Sequence, residues 1–274
     1  MRRLVIILIT CVLVSVPVVG FGATEQRIAL VIGNGSYMDA PLRNSVNDAT
    51  DMASALRNLG FSVTLKTDAN QRVLEEAIRK FGSELIFGGV GLFYYAGHGI
   101  QSHGTNYLIP VYSDIKVEAD VKFEAVDAGR VLAQMEDAGN SLNIIILDAC
   151  RNNPFALSFR SAAKGLAKMD APTGSILAYS TAPGSVAADG TGQNGLYTEK
   201  LLKHMQTPGI TVERMFKLVR KDNQRIGKIA SSMGGIFPYR RFLFCSNEGC
   251  YSNKKNFNAK KTYGCIGFTS SLKC

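Results

Sequence analysis

Histidine is scarce in this chain: 274 residues contain three, His98, His103 and His204. With so few imidazoles and no Cys-x-x-Cys pair, a zinc site has little to draw on. No Gly-Lys-Ser/Thr occurs, and Gly33-Asn34-Gly35 lacks a third glycine at dinucleotide spacing, which speaks against a phosphate-binding loop. No internal repeat is present, so a solenoid is excluded. Acidic residues are outnumbered, 22 against 31 Lys and Arg, for a formal net charge of +9. The lysines bunch near the C-terminus (Lys254, Lys255, Lys260, Lys261), so the excess describes the tail more than the body, and no nucleic-acid partner is expected. Nothing signals disorder: 46% of the chain is hydrophobic, enough for a sizeable core in one large domain or two small ones.

One long apolar run exists, Leu4–Val19, preceded by Arg2 and Arg3 and followed by Gly20-Phe21-Gly22-Ala23. That is the pattern of a secretory signal over residues 1–22, cleaved after Gly22 or Ala23. An uncleaved anchor is the alternative, but the run is short for a span. Leu8-Ile9-Thr10-Cys11 departs from a lipoprotein box at Thr10. The expected product is exported, periplasmic or secreted, with no stable membrane span after cleavage. Cysteine usage agrees. Of six cysteines, Cys11 leaves with the signal, and Cys245, Cys250, Cys265 and Cys274 fall in a polar tail, 245–274. An even set there reads as two disulfides of undetermined pairing, with zinc the weaker competitor. Cys150 is then the odd thiol, and so the reactive candidate.

From Arg27 onward strands alternate with helices. Apolar, strand-like runs cover Arg27–Ile32, Phe61–Leu65, Gly89–Ala96, Asn143–Leu147, Gly174–Ser180 and Ile236–Phe244. Helical spacing covers Asn44–Leu59, Asn70–Leu85, Ala125–Ala138, Leu196–Met205 and Val212–Ile226, with Gly60 a natural residue just past the first helix. This order predicts an α/β fold with a mainly parallel sheet and helices on both faces. The uninterrupted apolar runs at 90–95 and 143–147 suit strands buried on both sides. Two glycine-rich or basic stretches interrupt the order: Arg151–Pro172, with Arg151, Arg160, Lys164 and Lys168, and Gly184–Gly195.

Two of the runs end in a reactive side chain: GLFYYAGHG delivers His98, and IIILDACRNNP delivers Cys150. Sites in such folds gather beyond the carboxyl ends of strands, and neighbouring strands lie ~5 Å apart, so the two ends can share a substrate. A thiol attacks a carbonyl as thiolate and needs a base; an imidazole can take that proton and return it to the leaving amine. Gly97 and Gly99 leave room for a carbonyl beside the backbone, and the amides of Gly99 and Cys150 can donate to an oxyanion. Asp148 shares a side of its strand with Cys150 by the period of two. Each residue has a plainer reading: a core cysteine, a capping aspartate, a turn histidine. His103 and His204 read as ordinary loop and helix residues.

The motifs RIALVIGNGSY, LRNSVNDA, YYAGHG, NYLIPV, LDACRNNP and AYSTAPG, in that order, resemble the bacterial caspase-like peptidases, relatives of metacaspases and paracaspases, over about Arg27 to Phe244. His98 precedes Cys150 by about fifty residues, the separation found in caspases. The resemblance implies a caspase-like three-layer sandwich with a six-stranded sheet. It spans 24–244, with a large part 24–155, a linker loop 151–172 and a small part 173–244. It implies a catalytic dyad of His98 and Cys150 and an oxyanion hole of Gly99 and Cys150. Asp148 and Asp48 match acidic pocket positions of enzymes that cleave after Arg or Lys, so the partners implied are peptides or proteins with basic residues. The plainer reading of Asp48 is a first-turn helix carboxylate. Ser45 stands where a cysteine often sits, Ala96 replaces a common serine, and Asn152-Asn153-Pro154 follows the nucleophile position as in many bacterial members. Self-cleavage within 151–172 at Arg160, Lys164 or Lys168 is the corollary. No cofactor is implied; calcium dependence occurs in some metacaspases, but no concentrated acidic site establishes it here. The rival readings are an idle caspase-like scaffold, a nucleotide-binding α/β protein, a redox thiol protein, and a metal site from His98, His103 and Cys150.

Overall fold

The computed structural model describes residues 25–150, 166–181, 192–225, 232–236 and 242–245. The expected signal segment 1–22, the expected linker residues Arg160 and Lys164, most of the 184–195 loop, and tail cysteines Cys250, Cys265 and Cys274 lie outside them. In chain order the elements are β1 (Arg27–Gly33), α1 (Ser45–Asn58), β2 (Ser62–Thr67), α2 (Gln71–Glu84), β3 (Val90–Ser102) and β4 (Thr105–Leu108). A short helix α3 (Val121–Glu124), β5 (Val126–Asp127), α4 (Gly129–Asp137), β6 (Leu142–Cys150) and β7 (Ser175–Tyr179) follow. Helices α5 (Leu196–Met205) and α6 (Val212–Arg225) lead to β8 (Ser232–Ile236).

The main sheet has the order β2-β1-β3-β6-β7-β8. Its first five strands are parallel, and β8 is antiparallel to β7. Side chains alternate across it, as a pleated sheet requires. Ala29, Val31, Leu92, Tyr94, Ile144 and Ile146 face the layer of α1, α5 and α6. Ile28, Leu30, Phe93, Tyr95, Ile145 and Leu147 face the layer of α2 and α4. Two cores on one sheet explain why these strands are apolar at every position. The three-layer α/β sandwich anticipated from the sequence is the observed architecture.

Local chemistry sets the helix ends. Asn70 caps α2, its side chain accepting the Val73 N–H at 3.0 Å. Gly60 after α1 has φ +83°, the left-handed conformation that glycine takes at least cost. Arg27 ties the last described segment to the first strand. Its guanidinium donates to the Phe244 and Leu243 carbonyls at 3.3 Å each and lies 4.8 Å from the Phe242 ring centre.

Three expectations need correction. β3 does not stop at Ala96 but runs on to Ser102, because after Ala96 it exchanges its parallel partner β1 for the antiparallel β4. His98 therefore lies within a strand, and Cys150 is the last residue of β6 rather than a residue beyond it. The helix expected over Ala125–Ala138 begins only at Gly129; Val126–Asp127 pairs with β4 instead. The last strand among the described residues begins at Ser232 rather than Ile236; residues 237–241 of the expected strand lie outside the described residues, and Leu243 makes an isolated bridge to Thr211. Among the described residues no helix is long and apolar enough to cross a membrane.

Candidate active site

The β3–β6 register ends on the pair His98↔Cys150. His98 and Cys150 thus occupy matched positions on adjacent parallel strands, where backbones lie ~5 Å apart. His98 belongs by strand parity to the face covered by α1 and α5, as does Asp148, which pairs with Ala96.

His98 is held on several sides. It is 4% exposed, and its Nε2 lies 2.7 Å from the Ala40 carbonyl oxygen. A carbonyl only accepts, so Nε2 carries the proton in the neutral ring and Nδ1 is the free base. Nδ1 is buried and has no hydrogen-bond partner among the described residues. Burial pushes the imidazole below its ordinary value, and the Ala40 carbonyl offsets this in part. The Tyr37 ring packs on the imidazole at 4.4 Å between centres. The Tyr37 hydroxyl accepts the His98 N–H at 3.0 Å and donates to the Ile109 carbonyl at 2.9 Å. Tyr95 donates to the His98 carbonyl at 2.8 Å. Burial raises the Tyr37 hydroxyl far above its usual range, so it stays neutral.

The turn bearing Tyr37 is fixed by Asp68, whose carboxylate accepts the Gly35 and Ser36 N–H groups at 2.9 Å each and the Ser36 hydroxyl at 2.7 Å. Burial would raise the Asp68 carboxyl, but those donors outweigh it and hold it low. Gly97 serves this network rather than a substrate: a Cβ there would meet the Tyr95 hydroxyl at 2.6 Å and the Tyr37 hydroxyl at 2.8 Å. A Cβ at Gly99 would meet Ala149 Cβ at 3.0 Å, on the opposite face from the site. What Gly99 contributes is its amide. Backbone groups alternate along a strand, and those of His98 go to Tyr37 and Ile109 on the β1 side. The Gly99 N–H is therefore directed toward β6, at the end of the ladder.

The acidic residues converge although they lie 100 positions apart in sequence. Asp48, in the first turn of α1, is 4% exposed and accepts the N–H of Gly195, the residue capping α5, at 2.9 Å. Asp148 accepts the Thr198 hydroxyl at 2.6 Å. Tyr94 and Thr198 hydroxyls lie 2.6 Å apart; since Thr198 gives its proton to Asp148, Tyr94 donates to Thr198. A Cβ on Gly195 would stand 3.0 Å from Asp48 Oδ2 and 4.0 Å from Asp148 Oδ2, so both carboxylates border one small gap. The buried Tyr94 hydroxyl responds to both: burial raises it most, then Asp148, then Asp48. Asp48 is thus more than a solvated first-turn carboxylate.

Sequence reading missed Tyr37, Ala40, Thr198 and the cap at Gly195. Tyr37 stands in the motif GNGSY, but its contact with His98 depends on the fold of the turn. His103 lies in the β3–β4 turn with φ +49°, and His204 pairs with Asp222 at 2.8 Å, both away from this site. Among the described residues no group of three His, Cys, Asp or Glu is placed to hold a metal ion.

The family model described as Caspase domain (Peptidase_C14) matches residues 26–232. The chain is also similar to the mucosa-associated lymphoid tissue lymphoma translocation protein 1 of Homo sapiens, 30% identical over 128 residues. Its homolog in Mus musculus matches equally, at 30% over 128 residues. Each alignment covers 46% of this chain and 15% of the relative, so the chain spans only a small part of those proteins' length.

Proposed function

The chain belongs to the caspase-domain family of peptidases, and from that premise we propose that it is a cysteine endopeptidase using a Cys150–His98 dyad to cleave after Arg or Lys. The observation that carries this is the terminal β3–β6 pair, His98↔Cys150, with the imidazole oriented by Ala40 and its Nδ1 unpartnered. Nδ1 takes the thiol proton, and the thiolate attacks the scissile carbonyl to form a tetrahedral oxyanion. The amides of Gly99 and Cys150 donate to that oxygen. In a parallel ladder the His98↔Cys150 pair engages these same amides, so the pair parts as substrate enters. The two backbone bonds are together worth about 1–3 kcal/mol net, less than two oxyanion contacts of about 3–4 kcal/mol each. Nδ1–H then protonates the leaving amine, and water hydrolyses the thioester by the same route.

Asp48 and Asp148 receive the basic side chain before the bond. A guanidinium can bridge two carboxylates with charge-assisted hydrogen bonds. Gly195 has no Cβ, which leaves room for such a group beside both carboxylates. Export, two tail disulfides and self-processing within 151–172 complete the reading; of the candidate processing residues, Lys168 is exposed. The test is a panel of fluorogenic peptides ending in Arg, Lys or Asp, run with reductant on wild type and Cys150→Ala. Cleavage after Arg and Lys, lost in the variant, supports the reading. Cleavage after Asp overturns the pocket, equal rates in both proteins overturn the nucleophile, and no cleavage of any peptide favours an idle scaffold.

A further inference from the structure

On the other side of His98 from β6 lies a cavity of about 340 Å³. We propose that it is the subsite for the residue following the cleaved bond, and that it takes a large apolar side chain such as leucine or phenylalanine. The proposal rests on the peptidase reading above.

The position follows from the chemistry. The residue before the bond is assigned to Asp48 and Asp148, on the β6 and α5 side. The carbonyl sits at Cys150, and the leaving nitrogen must reach Nδ1 of His98. The chain beyond that nitrogen leaves across the imidazole, toward the β1 side, where the segment after β1 (Tyr37, Met38, Ala40) and the segment after β4 (Ile109, Tyr112) form the walls. One residue advances the chain by ~3.5 Å, so the first side chain past the bond falls beside the ring. His98 itself lines the cavity, and Ala40, which holds Nε2, forms part of its wall.

Its composition names the occupant. The volume lies at the lower end of ligand pockets, ~300–1,000 Å³, enough for one side chain with its backbone. Met38 is 84% exposed and Tyr112 70% exposed, so two large apolar side chains that line the cavity stand open to water at its mouth. Tyr112 has φ +64°, a conformation costly for a bulky residue, and such strain collects at ligand-facing positions. Asp39 and Asp114 also border the cavity, Asp114 facing Lys116 at 2.9 Å, so acidic side chains are disfavoured there.

The test uses the full chain and internally quenched peptides with Arg before the bond and Gly, Leu, Phe or Asp after it. Leu and Phe are expected to be cleaved about 10-fold or more faster than Gly, with Asp slowest, since small changes in apolar fit shift rates by ~10–200-fold. In Met38→Ala/Tyr112→Ala the Leu-to-Gly ratio is expected to fall toward one. A flat dependence in wild type, or an unchanged ratio in the double variant, overturns the proposal. A second readout needs no cleavage. In the methyl-labelled methionine NMR spectrum of the full chain, Leu-Gly-Gly-amide should shift the Met38 methyl, assigned by Met38→Ala, and Gly-Gly-Gly-amide should not. If no peptide is cleaved, the peptidase reading fails, and this titration alone decides the cavity: a Leu-selective shift sustains it as an apolar subsite, and equal or absent shifts overturn it.

Discussion

Replacing Tyr37 by phenylalanine isolates one hydroxyl while keeping the ring against His98. That hydroxyl accepts the His98 N–H at 3.0 Å and donates to the Ile109 carbonyl at 2.9 Å. The losses are unequal. Ile109 keeps the Asn34 side-chain amide at 3.3 Å and has Tyr95 within 3.0 Å, whereas the buried His98 N–H is left without its acceptor. An orphaned buried donor costs about 1–3 kcal/mol. For a domain of this size each kcal/mol lowers Tm by about 2–4 °C, so a fall of about 2–12 °C is expected in a thermal melt. Because the Tyr37 hydroxyl is neutral across the working range, the deficit should not vary with pH. In peptide hydrolysis the loss should fall on kcat, by several-fold, because Tyr37 orients the base. A Tyr37→Phe protein with wild-type Tm and wild-type kcat would refute this account of how His98 is held.

Three further outcomes follow from the same geometry. Burial depresses His98, so the acid limb of kcat/KM should lie below pH 6.5; by linkage, its contribution to stability is full above about pH 6.5 and is lost as pH falls toward the folded value. An acid limb at or above pH 7 would contradict this. Thr198→Val removes the donor to Asp148 and the acceptor of Tyr94, both at 2.6 Å, and should cost about 2–4 kcal/mol in urea unfolding, with Thr198→Ser restoring most of it. Asn106 grips the strand end of the linker, donating to the Ala167 carbonyl at 2.8 Å and accepting its N–H at 2.6 Å. Asn106→Ala should therefore speed limited trypsin cleavage at the exposed Lys168, read by mass spectrometry; an unchanged rate would show that the grip does not protect it.

The sheet was legible because its strands are buried on both faces and so read as unbroken apolar runs. His98 and Cys150 stood out because each interrupts such a run, and the register then brought them together. The short pair β4 and β5 was not legible. Thr105–Leu108 and Val126–Asp127 carry little strand signal and form because β3 offers them an edge after Ala96. β8 was misplaced for the same reason: Ser232-Met-Gly-Gly-Ile has weak strand propensity, and the open edge of β7 decides its conformation. In the site, Asp48 and Asp148 were found by motif, but Thr198 and Gly195 come from α5, reached only through tertiary packing. The constraint on Gly97 is not legible in sequence because the tyrosine hydroxyls that need its space come from a turn and from a residue two positions earlier on the same strand.

The claim at the centre is that Cys150 is a nucleophile made reactive by His98 and aimed at basic substrates. A peptidyl acyloxymethyl ketone ending in Arg, mapped by mass spectrometry after digestion, tests it most directly. The predicted result is one adduct per chain on Cys150, formed much more slowly in His98→Ala and absent with the Asp-ended reagent. Labelling at another cysteine, or equal labelling by both reagents, would contradict it.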